Sequence, residues 1–242
     1  MKLDILVFGV HPDDVELSCG GMLLTEKLNG KKTGIIDLTQ GELGTRGDIE
    51  TRKNEASAAA KIMQVDFRDN LKMSDGFFVN DEAHQRKIIP AIRKYQPEII
   101  FCNAPEDRHP DHGRSASLVE DAAFLSGLRK IETIVDGLSQ EPWRPKYIFH
   151  YIQDKYIHPN FVIDISGVID KKLEAIKAYT TQFNSSDTKE PQTYISTPDF
   201  LDSIIYRSKM FGKMIGVNFA EGFISKKMIG FNNFDSFIKR NT

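Results

Sequence analysis

Short apolar runs alternate with longer amphipathic or alanine-rich stretches through the first half of the chain. Ile5-Leu6-Val7-Phe8-Gly9-Val10 is continuously apolar, the pattern of a strand covered on both faces. Ser18 to Leu28 then reads as a helix with Gly20-Gly21 close to its start, and Thr33-Gly34-Ile35-Ile36-Asp37-Leu38 as a second buried strand. The glycines of Gln-Gly-Glu-Leu-Gly-Thr-Arg-Gly at 40–47 mark a loop. Asp48 starts a helix through Met63, and its Ala56, Ala58, Ala59 and Ala60 imply close packing. A short strand is expected over 65–71, a helix interrupted by Pro90 from Glu82 to Tyr95, a strand from Glu98 to Cys102, and a helix from Ser115 to Leu125. This alternation predicts an α/β fold: a Rossmann-like, mostly parallel sheet with helices on both faces and its active site at the strand C-terminal ends.

The second half is less regular. Tyr147 to Ile152 and Phe161 to Ile165 look like strands, Val168 to Tyr179 and Asp199 to Met214 like helices. Residues 184–198, rich in Ser, Thr, Pro and Asp, read as a loop, with a lid as one use for it. No internal period or linker divides the chain, so residues 1–242 are expected to form a single domain, and that length suffices for a sizeable core. The net charge of −2 argues against non-specific nucleic-acid or anionic-membrane binding. Cys19 and Cys102 form no Cys-x-x-Cys pair and are expected as small buried apolar residues. The N-terminal apolar run is too short for a signal sequence, and no segment reaches about eighteen apolar residues, so a soluble cytoplasmic protein is expected.

The chemistry concentrates in two related motifs, His11-Pro12-Asp13-Asp14 and His109-Pro110-Asp111-His112, each just past an apolar strand. One His-Pro-Asp would be ordinary turn chemistry. Two of them after buried strands point to one polar site built from two loops. Three protein ligands plus water is the usual arrangement of a catalytic zinc, and no cysteine cluster is present for a structural one. His11, Asp14 and His112 make a set of two histidines and one carboxylate. Asp13 is left beside it, free to act as a base, and His109 with Asp111 remains as an imidazole with a carboxylate partner. Among the other histidines, His84 is expected to be solvated and His158 to lie in a turn.

At these residues the chain resembles the LmbE/PIG-L family of zinc-dependent N-acetylglucosamine deacetylases, which carries a His-Pro-Asp-Asp box after its first strand and a His-x-x-His box after a later one. Leu38-Thr39-Gln40-Gly41-Glu42, Arg52-Lys53-Asn54-Glu55-Ala56, Glu106 to His112 and Ala220-Glu221-Gly222-Phe223 resemble the bacterial branch that deacetylates N-acetylglucosaminyl malate in bacillithiol synthesis. The resemblance implies one zinc per chain on His11, Asp14 and His112, Asp13 as general base, and His109, oriented by Asp111, facing the developing oxyanion or the leaving amine. It implies substrate contacts from Arg52 and Asp75, and makes Arg108 a further candidate for an anionic aglycone. Where some relatives place an oxyanion-donating tyrosine, this chain has Phe200, with Tyr194 as a substitute. Bacterial relatives are often oligomers. Phe200, Phe211, Phe219, Phe223, Phe231, Phe234 and Phe237 crowd the C-terminal part, so a homo-oligomer using some of them as an apolar patch is expected.

Other readings remain open at this point. Another N-acetylglucosamine compound, such as a chitin disaccharide or a cell-wall or antibiotic precursor, is a second enzymatic reading. Two-metal phosphoester hydrolysis would need bridging carboxylates, for which Glu106, Asp107 and Asp111 are available. A domain that binds metal or sugar without turnover would have no use for Asp13.

Overall fold

The computed structural model describes residues 1–183, 190–231 and 233. The first half runs β1 (Ile5–Gly9), α1 (Asp14–Leu28), β2 (Thr33–Thr39), α2 (Ile49–Met63), β3 (Phe67–Met73), α3 (Glu82–Tyr95), β4 (Ile99–Cys102) and α4 (Pro110–Ser126). Then come the two-residue strands β5 (Ile134–Val135) and β6 (Leu138–Ser139), followed by β7 (Tyr147–Tyr151), β8 (Phe161–Asp164), α5 (Ile169–Lys177), α6 (Thr180–Phe183), a 3-10 turn at Tyr194–Ser196, α7 (Pro198–Ile215) and β9 (Ala220–Ser225). A seven-stranded sheet has the order β3-β2-β1-β4-β7-β9-β8, with β5 and β6 forming a separate ladder. Pairing from β3 across to β7 is parallel, and β9 runs antiparallel between β7 and β8. The α/β, mostly parallel architecture read from the hydrophobic pattern is therefore the one observed.

β1 shows why both faces must be covered. Leu6, Phe8 and Val10 pack into a core with Ile88, Ile89 and Ile92 of α3 and Leu118 and Val119 of α4. Ile5 and Val7 point the other way, into a core with Val15, Met22 and Leu23 of α1 and Ile169 and Ala175 of α5. Strand order reverses between β1 and β4, whose neighbours on either side are β2 and β7. The crevice at such a switch point, beyond the strand C-termini, is where open α/β sheets bind ligands.

Several elements differ from expectation. α1 and α4 begin inside the two motifs, at Asp14 and Pro110, rather than after them. Pro110 at the first helical position, with its preset φ, starts α4 directly at the motif. α3 passes through Pro90 without breaking, because burial of Ile88, Ile89 and Ile92 outweighs one lost backbone hydrogen bond. β9 has only a weak alternation and is legible in sequence only as a segment of family resemblance. Of the aromatic residues expected at an interface, Phe211 and Phe223 are buried, and Phe200 and Phe219 are partly buried against cores. Phe231 is exposed, while Phe234 and Phe237 lie outside the described residues. Among the described residues the expected phenylalanine patch therefore reduces to Phe231. No helix among the described residues is long and apolar enough to cross a membrane.

One buried ion pair fixes the bend of α1 beside the site. Cys19 leaves helical geometry (φ −141°), which frees the next backbone N–H groups. Gly21 and Met22 donate to the two carboxylate oxygens of Glu221 on β9 at 2.9 and 2.6 Å. Lys172 of α5, 1% exposed, pairs with the same carboxylate at 2.6 Å. A Cβ on Gly21 would stand 2.8 Å from the Ile165 side chain, so the close approach requires glycine there. Removing one partner of such a pair strands a buried charge. Lys172→Met is expected to lower unfolding free energy in urea by about 3–5 kcal/mol. The double variant Lys172→Met/Glu221→Gln should lose less than the single one; an additive or larger loss would contradict this account of the bend.

Candidate active site

Asp14 is the anchor. Its Oδ2 accepts from the backbone N–H of Val10 and of His11 and from Asn103 Nδ2, each at 3.0 Å. Its Oδ1 accepts from Gln153 Nε2 at 3.1 Å and faces His112 Nε2 at 3.3 Å. One carboxylate thus joins the chain segments that leave β1, β4 and β7. Burial opposes its charge, but the fields of His112 and His11 hold its pKa well below the usual carboxylate range.

Both ligand histidines are oriented from behind. His11 donates from Nε2 to Asp75 Oδ1 at 2.9 Å, which turns Nδ1 toward Asp14 Oδ2 at 3.8 Å. His112 donates from Nδ1 to Asp107 Oδ2, which turns Nε2 toward Asp14 Oδ1. A metal-binding imidazole usually has its other nitrogen fixed by a carboxylate in this way. Burial works against positive charge on both rings. The flanking acids nevertheless raise the pKa of His11, and Asp14 with Asp107 raises that of His112 to about 10. The pocket therefore favours positive charge at the point where His11 Nδ1, Asp14 and His112 Nε2 converge. Their ligand atoms lie within 4.8 Å of one another. Two nitrogens and one oxygen at this spacing fit a borderline divalent cation.

His11, His109 and Asp111 form a second group with the same spacing. It fits a cation poorly, because Asp111 Oδ1 already accepts from Arg114 at 2.7 Å and Oδ2 from the Gly76 N–H at 2.8 Å. The bridging carboxylates needed for two-metal chemistry are also committed. Asp107 Oδ1 accepts from the N–H groups of Asp154 and Lys155, and Glu106 pairs with Lys155 at the surface.

Asp13 sits next to this set in an unusual backbone state. Its φ of 134° lies where side chains other than glycine are strained, and the strain aims its carboxylate into the pocket beside Asp14. Burial pushes the Asp13 carboxyl up to about 7, against the pull of Arg52. Arg52 Nη1 holds it at 3.3 Å while also donating to Pro12 O at 3.1 Å. Gly41 and Gly44 make room for this guanidinium: a Cβ on either would stand 3.4 or 3.2 Å from it, and Gly41 has φ +66°. Arg52 is thus a buried partner of Asp13.

His109 caps α4, and its Nδ1 accepts from the Asp111 backbone N–H at 3.3 Å. The neutral ring therefore carries its proton on Nε2. Burial lowers its pKa, helped by His11 and His112, so the donor form is the neutral one. The contact expected from the Asp111 carboxylate is instead made by that residue's main chain, since the carboxylate belongs to Arg114 and Gly76.

A cavity of about 240 Å³ collects these groups. His11, Asp13, Asp14, Arg52, Asp75, Arg108, His109 and His112 all line it, with Leu17, Ile195, Phe200 and Ile204 forming an apolar wall. Asp111 is fully buried behind the lining. Asp75, expected at the substrate, gives Oδ1 to His11 and Oδ2 to the Leu43 N–H at 3.1 Å, so its first role is to position the ring. Arg108 is half exposed, paired with Asp154 at 3.1 Å and stacked over Tyr194 at 4.3 Å. Tyr194 donates to Asp154 at 3.0 Å and is absent from the lining, so it does not replace the missing oxyanion donor. His84 binds Asp81, the N-cap of its helix, and His158 is exposed and stays outside the pocket.

Sequence reasoning missed Asn103 and Gln153 and gave Asp107 no orienting role. Asn103 and Gln153 follow apolar strands at the C-terminal edge of the sheet. A rule that flags polar residues immediately past such strands would have found both.

The model of the family described as PIG-L, GlcNAc-PI de-N-acetylase, matches residues 6–123, which include both motifs. Diacetylchitobiose deacetylase of Thermococcus kodakarensis is 27% identical over 230 residues, covering 90% of this chain and 81% of that protein. The solved structure of conserved protein TT1542 from Thermus thermophilus is 35% identical, with a TM-score of 0.84 over 95% of this chain and 97% of that one. A 4-carboxy-2-hydroxymuconate hydratase from Pseudomonas putida shares the fold at 19% identity, with a TM-score of 0.77 over 96% of this chain and 99% of that one. The fold by itself therefore does not specify deacetylation, and the site must carry that argument.

The orienting carboxylates yield a direct test. In chelator-competition titrations with zinc, Asp107→Asn and Asp75→Asn should each weaken binding by roughly 10–100-fold. Asp111→Asn, whose carboxylate touches neither ligand ring, should leave affinity unchanged. The reverse ranking would favour the His11–His109–Asp111 group.

Proposed function

We propose that the chain is a member of the PIG-L family and that it hydrolyses the N-acetyl group of an N-acetylglucosamine conjugate with one zinc ion per chain. The observation that carries this reading is the pair of carboxylate-oriented histidines facing Asp14, with Asp13 alongside and outside the ligand set. His11, Asp14 and His112 would hold the metal. When bound, zinc supplies Lewis acidity toward the acetamide carbonyl and increases the acidity of a water.

The chain's own groups account for the proton movements. Asp13, held by Arg52, takes the proton from the attacking water, and its burial, which raises its pKa, favours it as a proton acceptor. The neutral His109 ring presents Nε2–H to the oxygen that becomes negative. Oxyanion donors of this kind are typically worth about 3 kcal/mol in rate. The C–N bond then breaks, the amine leaves with the proton held by Asp13, and acetate is the second product. Phe200 and its apolar neighbours limit water around the reacting amide.

For the conjugate itself we favour N-acetylglucosaminyl malate, as in bacillithiol synthesis, on the strength of the segment resemblances and of arginines at the pocket. The Thermococcus relative is named for a disaccharide activity, which supports the neutral diacetylchitobiose reading beside it. Acetate release from N-acetylglucosaminyl malate, diacetylchitobiose and free N-acetylglucosamine separates the two. A kcat/KM highest for the malate conjugate is expected, and a preference for the disaccharide would replace that substrate while leaving the reaction intact.

Variants separate the two adjacent aspartates. Asp13→Asn should retain zinc but lose turnover by a factor of roughly 10²–10⁴, because an amide cannot take the proton. Asp14→Asn should lose the metal as well. His109→Ala should lower kcat with zinc still bound. An Asp13→Asn protein with near-normal kcat would contradict the assignment of the base.

A further inference from the structure

Arg52, Arg108 and Arg207 all line the pocket, but their charges are handled differently. Arg52 faces Asp13 at 3.3 Å and Arg108 faces Asp154 at 3.1 Å. Arg207, on α7, donates to two neutral acceptors, the carbonyls of Gln153 and of Leu17, the latter at 3.2 Å. Among the described residues no carboxylate stands within ion-pair distance of it. The acid whose field it feels most strongly, Glu221, is already paired with Lys172 at 2.6 Å. Burial lowers the Arg207 pKa, yet a guanidinium stays charged at neutral pH. Arg207 is therefore a pocket guanidinium without an ion-pair partner among the described residues, its planar fork fixed in place by two carbonyls.

A second observation lies beside it. Ser18 follows Leu17 in the chain, lines the same pocket and is 3% exposed, and its Oγ has no hydrogen-bond partner. A buried hydroxyl is costly to leave unpaired. The wall formed by Leu17, Ile204 and Phe200 keeps the local dielectric low, which strengthens a charged hydrogen bond made there.

We propose that Arg207 and the Ser18 hydroxyl form a carboxylate-binding subsite of the pocket. It deepens the deacetylase reading, on which it rests for the identity of the ligand. Two carboxylates match its chemistry: one carried by the aglycone of the substrate, and the acetate released by hydrolysis. Gln153 couples the subsite to the reaction centre, since its backbone carbonyl accepts from Arg207 while its side chain holds Asp14.

Binding of acetate and of malate to chelator-stripped protein, followed by ligand-observed NMR, tests the subsite without any turnover. Arg207→Gln should weaken the binding by roughly ten- to a hundredfold, and Ser18→Ala by about two- to tenfold. Ser18→Ala removes a hydroxyl with no internal partner, so it keeps the test valid if loss of the Arg207 contacts impairs folding. In the zinc enzyme, an aglycone subsite predicts that both variants lower kcat/KM for N-acetylglucosaminyl malate more than for diacetylchitobiose. A product subsite predicts weaker inhibition by acetate with the substrate ratio unchanged. Unaltered anion affinity, substrate ratio and acetate inhibition in both variants would overturn the proposal. Acetate release from a neutral sugar in the same assay reports separately on the deacetylase reading.

Discussion

Everything at this site depends on how the Asp14 carboxylate is held. Two backbone N–H groups next to β1, the Asn103 amide beyond β4 and the Gln153 amide beyond β7 converge on it. A buried carboxylate without such donors would be driven toward its neutral form. With them it remains an anion, and its two oxygens face the two imidazoles, Oδ2 toward His11 Nδ1 and Oδ1 toward His112 Nε2. The parallel sheet makes this convergence possible, because the strands deliver their C-terminal ends to the same edge. The reversal of strand order between β1 and β4 opens the crevice between them.

A second layer of acids stands behind the first. Asp75 and Asp107 each fix one imidazole, so both lone pairs point inward before any ligand arrives. Asp111 has no such part. It is buried against Arg114 and the Gly76 N–H, where it secures the start of α4 and thereby the positions of His109 and His112. The strained backbone of Asp13 and its pairing with Arg52 are the complementary arrangement: a carboxylate next to the ligand set, restrained by a cation, and free of the ligand role that Asp14 fills.

The hydrophobic pattern made the fold legible because a doubly covered parallel sheet writes itself as continuous apolar runs, and Ile5–Val10 and Thr33–Leu38 are that signature. It made the principal site residues legible because His11-Pro12-Asp13-Asp14 and His109-Pro110-Asp111-His112 place their chemistry just past those runs. What it left hidden has physical reasons. Asn103, Gln153 and Asp107 act on residues far away in sequence, and only the folded sheet brings them together. Arg52, expected at the substrate, is buried against Asp13 because Gly41 and Gly44 leave space for it. Asp75, expected at the substrate, holds His11, and Tyr194, expected as a substitute oxyanion donor, holds Asp154. The helix starts were displaced because Asp14 and Pro110 act at once as motif residues and as helix-initiating residues.

The account rests on a single cation held between two separate loops, and anomalous diffraction from crystals of the zinc-loaded protein tests it most directly. One peak per chain is expected, within roughly 2.0–2.2 Å of His11 Nδ1, an Asp14 oxygen and His112 Nε2. Asp13 should lie outside the coordination sphere, and Asp75 and Asp107 should still hold the opposite ring nitrogens. A peak coordinated by Asp13, a peak on His109 and Asp111, or two ions bridged by a carboxylate would contradict it.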